Sequence, residues 1–173
     1  YKNSVYPACH TGSNGVAFEC GAKGRNLTEW QYGLASVNPR WNVSGTYMQV
    51  LPRFVSIDEN GTEHEFLSEY FKDFGVCLSR IFRKGYEWPF DCKKAINGSS
   101  VIDLLVYREN ILKHRKVYLD FRKNPGNLEN LPFEQADSET LEYLHNAGAC
   151  FGTPIERLLH MNTPAYELYL SKG

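Results

Sequence analysis

No window of the 173-residue chain approaches the roughly 20 consecutive apolar residues that a membrane-spanning helix needs. Neither sign of charge dominates. Nineteen Lys+Arg stand against 20 Asp+Glu, a formal net charge of −1, which excludes a uniformly basic nucleic-acid binder. No two cysteines have C-x-x-C spacing and no histidine lies at finger spacing, so no zinc site or other metal is expected. Repeats and low-complexity tracts are lacking. With 42% hydrophobic and 23% charged residues, the composition is that of a globular chain, not a disordered one. The length fits one domain, or one domain with an appendage.

Aromatic residues are plentiful: 11 Tyr, 10 Phe and 3 Trp can fill a core without many leucines. Charge is segregated along the chain. Residues 1–74 carry 6 basic and 8 acidic side chains, residues 75–124 carry 11 and 5, and residues 125–173 carry 2 and 7. A basic middle can attract a phosphate backbone; it can equally be the solvated face of a neutral protein.

Five cysteines stand at positions 9, 20, 77, 92 and 150. Asn26, Asn42, Asn60 and Asn97 each open an N-x-Ser/Thr sequon, where chance in this composition gives roughly 1.4. The excess, with the cysteines, favours an oxidising, secretory history. The first residue is Tyr1 and no signal-peptide pattern follows, so a removed leader is the expectation. An odd cysteine leaves one thiol over, and Cys9, in a Gly/Ser-rich stretch, is the candidate.

Residues 1–14 are polar and turn-rich, which predicts an N-terminal arm. Val16–Cys20 alternates like a short strand. Leu27, Trp30, Leu34 and Val37 step by three and four, predicting a helix over 27–37 that ends at Asn38-Pro39. Thr46–Ile57 reads as a strand with Pro52 at a bulge or edge. Asp58–Gly61 is a hairpin turn, and residues 66–74 have the apolar face of a helix. Val76–Phe82 alternates like a strand, Gly85–Phe90 reads as extended chain, and Val101–Tyr107 has the nearly continuous apolar run of a buried central strand. A turn at Glu109-Asn110 and a partner strand over Lys116–Phe121 complete a meander. Asn124–Asn127 breaks the chain. Helices are predicted from Ser138 and, opened by Thr153-Pro154, over Ile155–His160.

Tyr86-Glu87-Trp88-Pro89-Phe90 resembles the Tyr-Glu-Trp-Pro-Ile segment of the small fungal guanyl-specific ribonucleases. Neighbouring segments keep register with that family. Gly75 falls near its Gly-Phe strand start, Asp103–Asn110 is similar to its Asp-Arg-Val-Val-Phe-Asn-Glu-Asn strand and turn, and Val117–Asp120 lies where its last catalytic strand does. The resemblance spans about residues 15–121. It implies an α+β fold with one helix packed on a central antiparallel sheet. Residues 15–124 would form that domain, with an insertion near 55–74 and a helical C-terminal extension, 125–173, packed on it. It also implies a Cys20–Cys150 disulfide, with Cys77–Cys92 the next most economical pair.

The family's chemistry uses a carboxylate base, an acid histidine, and an Arg, a second His and a Tyr around one phosphodiester. Of these only the carboxylate has a counterpart, Glu87. Leu51-Pro52-Arg53 stands at the family's Tyr-Pro-His, Leu104 at its Arg, and Asp120 at or beside its acid His. Leu cannot donate to a phosphate, and an anionic Asp repels one. This profile resembles the catalytically inactive ribonuclease-like secreted effectors of powdery mildew fungi. That resemblance implies no cofactor, secretion followed by entry into the host cell cytoplasm, and a host plant protein as partner. It also implies recognition by a nucleotide-binding leucine-rich-repeat immune receptor. Arg53, Tyr86, Arg108 and Arg115 are the candidate partner contacts. The rival readings are a non-cleaving RNA binder, through Lys113, His114 and Lys116 beside Tyr107 and Tyr118, and a residual secreted ribonuclease.

Overall fold

The computed structural model describes residues 13–26, 33–38 and 40–171; most of the expected N-terminal arm and residues 27–32 of the expected helix lie outside these. The described residues build a mixed α+β architecture with two small antiparallel sheets. Helix α1, Ser13–Glu19, stands where a strand was expected, and its residues from Asn14 onward are exposed. No described strand pairs with it, so an extended conformation would gain no ladder. Strands β1, Ala35–Val37, and β2, Arg40–Asn42, form a two-stranded ribbon in place of the end of the expected helix.

Thr46–Gln49 forms a short helix, α2, and the strand expected across 46–57 is confined to β3, Arg53–Ile57. Leu51 turns the chain between them with φ 54°, in the left-handed region. The hairpin holds as expected: Asp58 Oδ1 accepts from the amides of Asn60 and Thr62, and Gly61 supplies φ 81°. Strand β4, Glu63–His64, pairs on one edge of β3, and β5, Lys116–Asp120, on the other. The register places Arg53 opposite Asp120 and Ile57 opposite Lys116. The expected partner of β5 was residues 101–107, so the meander is not formed.

Two expected strands are helices. After α3, Phe66–Tyr70, helix α4 runs Phe74–Lys84, and its N-cap Asp73 accepts from the Val76 amide. Cys77, Leu78, Ile81 and Phe82 are its core face, and their i, i+1, i+4, i+5 spacing is helical. Gly75 lets the Gln135 carbonyl approach where a Cβ would collide. Helix α5 is Val101–Tyr107, with Val101, Ile102 and Leu105 buried. A π turn, Arg108–Leu112, continues it through the expected Glu109-Asn110 turn. In both segments a short apolar run fits either period, and tertiary packing decides.

The C-terminal helices start near the expected positions. Helix α6, Ser138–Asn146, is capped by Asp137; α7, Pro154–Met161, opens with a Thr153/Glu156 capping box. Helix α8, Thr163–Ser171, follows. Leu131, Leu144, Ala149, Leu158 and Ala165 join one core with Met48, Phe54, Phe66, Leu78, Phe82 and Ile102. The described architecture therefore sets several helices, rather than one, around the three-stranded sheet.

Arg157 of α7 links these parts. It is fully buried. Its Nε donates to the Val50 carbonyl at 3.0 Å, its Nη1 to those of Phe151 and Gly152, and its Nη2 to Asn124 Oδ1. Burial lowers its pKa to about 10, which keeps it charged at neutral pH. Arg157→Met should cost about 3–5 kcal/mol in urea unfolding, because the three carbonyls and Asn124 lose their donors. Arg157→Lys should not restore it, since an ammonium cannot reach this fork of acceptors.

Neither expected disulfide is formed: Cys20, Cys77, Cys92 and Cys150 are all free thiols. Cys77 is a core residue whose thiol is pushed up to about 12 by burial, whereas Cys92 lies exposed on a 3₁₀ turn and Cys20 just past α1. Iodoacetamide should therefore label Cys20 and Cys92 in the native protein and reach Cys77 only on unfolding, as peptide mapping can show.

Candidate functional site

Glu87 leaves the C-terminal end of α4, its amide bonded to the Arg83 carbonyl. Both carboxylate oxygens are engaged. Oε2 accepts from Ser99 Oγ at 2.6 Å and Oε1 pairs with Lys94 Nζ at 2.8 Å. Burial works to raise its pKa, but Lys94 and Ser99 outweigh it and hold the group below the usual carboxylate range. Beneath it, the fully buried Lys84 pairs with Asp103 Oδ2 at 2.5 Å and donates to the Glu87 carbonyl. Burial raises the Asp103 pKa against the pull of Lys84.

The neighbours of Glu87 also hold structure. Trp88 Nε1 donates to the Leu34 carbonyl, and its indole lies so close to Gly33 that a Cβ there would collide. The half-exposed Tyr86 donates to Glu139 Oε1 at 2.6 Å, and burial with this bond raises its pKa.

Arg53 and Asp120 face each other across β3 and β5 as an ion pair at 3.0 Å. Arg53 is 3% exposed, so the expectation that it contacts a partner is corrected. It also pairs with Glu63 at 2.9 Å and Glu65 at 3.7 Å and donates to Asn127 Oδ1. Asp120 is depressed despite its burial by Arg122 and Arg53. None of these groups is shared with the hydrogen-bond and ion-pair partners of Glu87, which are Ser99 and Lys94. Two of the described histidines have structural partners: His64 pairs with Asp58 at 2.8 Å and His160 bonds the Ala147 carbonyl.

The basic residues at 108–116 form no hairpin tip. Three of them, Arg108, Lys113 and Arg115, surround Glu109, which is fully buried. Its Oε1 meets Lys113 Nζ at 2.6 Å and Arg108 Nη2 at 3.1 Å; its Oε2 meets Arg115 Nη1 and the Ser56 hydroxyl, each at 2.9 Å. Arg108, Arg115 and Lys113 are thus oriented by an internal anion, while His114, at φ 55°, and Lys116 are exposed. Only the i, i+4 spacing of Glu109 and Lys113 signals this centre in the sequence. Its buried position could not be read.

An apolar cleft of about 420 Å³ lies between the ribbon and the sheet, lined by Leu34, Met48, Phe54, Leu119, Phe121 and Tyr169 among others. No group of three or more His, Cys, Asp or Glu side chains able to hold a metal occurs among the described residues. No family model, curated protein or solved structure matches the chain.

The carboxyl of Glu109 is held at about 2, against an ordinary 4.5: burial raises it, and Lys113, Ser56 and Arg115 overcome that. A depressed folded pKa stabilises above the unfolded value and is lost as pH falls through the folded one. Wild type should exceed Glu109→Gln by a few kcal/mol at neutral pH. That gap should narrow between about pH 4.5 and 2, as denaturant melts across this range can measure.

Proposed function

We propose that this chain is a non-catalytic binding protein: a secreted effector that engages a host plant protein and is open to recognition by a nucleotide-binding leucine-rich-repeat immune receptor. One observation carries the non-catalytic part. The groups standing at the catalytic positions of the resemblance are neutralised by internal partners, Arg53 by Asp120 and Glu87 by Lys94 and Ser99. A base works best with a pKa near ambient pH; a carboxylate lowered by an ion pair is a weak one. An anionic Asp120 beside a scissile phosphate would oppose the charge that develops there.

Ribonuclease-like ancestry belongs to the same proposal. It rests on the Tyr86–Phe90 segment and on the strands bearing Arg53 and Asp120, since 74–84 and 101–107, strands in that family, are helical here. The host setting rests on the resemblance and on the sequons, whose four asparagines are all exposed. RNA binding through 108–116 is less favoured: the three cations around Glu109 keep a net positive charge, but the exposed surface beside them is mainly aliphatic, Leu104, Ile111 and Leu112, with Tyr107 for stacking.

RNA incubated with the protein should show no fragments above background. Cleavage that disappears in Glu87→Ala would overturn the reading, and retained folding of that variant in a thermal melt makes the comparison fair.

A further inference from the structure

Helix α5 and the π turn that extends it are apolar on two faces. One face, Val101, Ile102 and Leu105, packs into the core. The opposite face bears Leu104, Tyr107, Ile111 and Leu112, which are 45%, 54%, 49% and 64% exposed. These residues lie three, seven and eight positions on from Leu104, so they form one stripe along the helical run. A helix apolar all round is ordinarily buried all round. Here four apolar side chains of the outward stripe face solvent, and exposed apolar side chains grouped on one face mark an interaction site.

The stripe has charged flanks of one sign. Arg108 lies within it, four residues after Leu104, and Lys113 follows Leu112; each side chain is 38% exposed and anchored on the buried Glu109. His114 and Lys116 are exposed immediately beyond. π turns recur at functional positions, and this one carries Ile111 and Leu112.

From this we infer that the α5 face docks an acidic amphipathic helix of a partner protein. The partner's apolar ridge would lie along Leu104, Tyr107 and Ile111, with carboxylates meeting Arg108 and Lys113. The anchored cations favour carboxylates of a folded helix over a flexible phosphate chain. Base stacking would use the single Tyr107, whereas helix packing uses the whole stripe. The inference rests on the binding-protein reading above and adds the surface and the partner's chemistry.

The probe is a fluorescent synthetic helix with leucines at helical spacing flanked by glutamates; its twin replaces every glutamate with lysine. Fluorescence anisotropy should show the acidic peptide binding at least about tenfold more tightly than its twin, with the preference falling as salt is raised. Leu104→Ser with Ile111→Ser, both exposed sites, should weaken binding by at least about tenfold without lowering the thermal midpoint. Amide shifts in the labelled protein should cluster at 104–113. Equal binding of the two peptides, or binding that survives the double substitution, overturns the inference. So does sedimentation showing that copies of this chain associate through the stripe, or a labelled single-stranded RNA that binds there more tightly than the acidic peptide. These failures leave the lack of RNA cleavage standing, whereas Glu87-dependent cleavage defeats the reading above whatever the peptides do.

Discussion

The fold turns on a cation with no carboxylate of its own. Arg157 is bonded to three carbonyls and one side-chain amide oxygen, and its guanidinium lies 5.5 Å from the centre of the Phe133 ring. The acceptors come from three separate stretches, the end of α2, the 124 loop and the 151–152 loop, and the ring from a fourth. Backbone carbonyls at turns and helix ends must find donors when buried. One rigid, planar fork supplies them in directions that an ammonium could not. The C-terminal helices are therefore joined to the first half of the chain by obligatory hydrogen bonds as well as by Leu144 and Leu158 in the common core.

Elsewhere the same economy appears with opposite charges. Glu109 gathers three cations, Arg53 gathers three carboxylates, and Lys84 pairs with Asp103. The uneven charge along the sequence becomes complementarity in space. Arg83, from the basic middle, pairs with Asp137 at 2.9 Å and Glu139 at 2.8 Å, both from the acidic tail. Removing one partner of a buried pair costs more than the pair contributes, because the other charge is left unpaired. These centres consequently act as constraints on arrangement more than as sources of stability.

Local signals were legible where the chemistry is local. The Asp58–Gly61 turn, the helix start at Thr153-Pro154 and the break at Asn124–Asn127 each follow from side chains within a few residues of the backbone they bend. Helices α4 and α5 were not legible as helices. Val76–Phe82 is short enough to fit two periods, and Val101–Tyr107 has no polar face to reveal its period at all. The Asp73 cap was the available cue for α4. Among the candidate residues, Tyr86 and Arg108 kept some exposure, while Arg53 did not. A sequence displays an arginine as a surface group by default, and nothing near Arg53 discloses that Asp120, 67 residues away, lies opposite.

The missing period of α5 and the buried charge of Glu109 have one physical consequence. A helix whose outward face is apolar needs neighbours that keep it soluble, and flexible cations would do that at a high entropic cost on binding, about 0.5–1.5 kcal/mol for each side chain immobilised. Glu109 removes much of that cost beforehand. It is fully buried in the π turn and holds the charged ends of Arg108 and Lys113 at 3.1 and 2.6 Å. Fully buried, it draws little screening from solvent, and its pull on the two cations persists in salt that would loosen an exposed pair. The carboxylate that fixes these cations is thus the group that pre-organises this face for a folded partner.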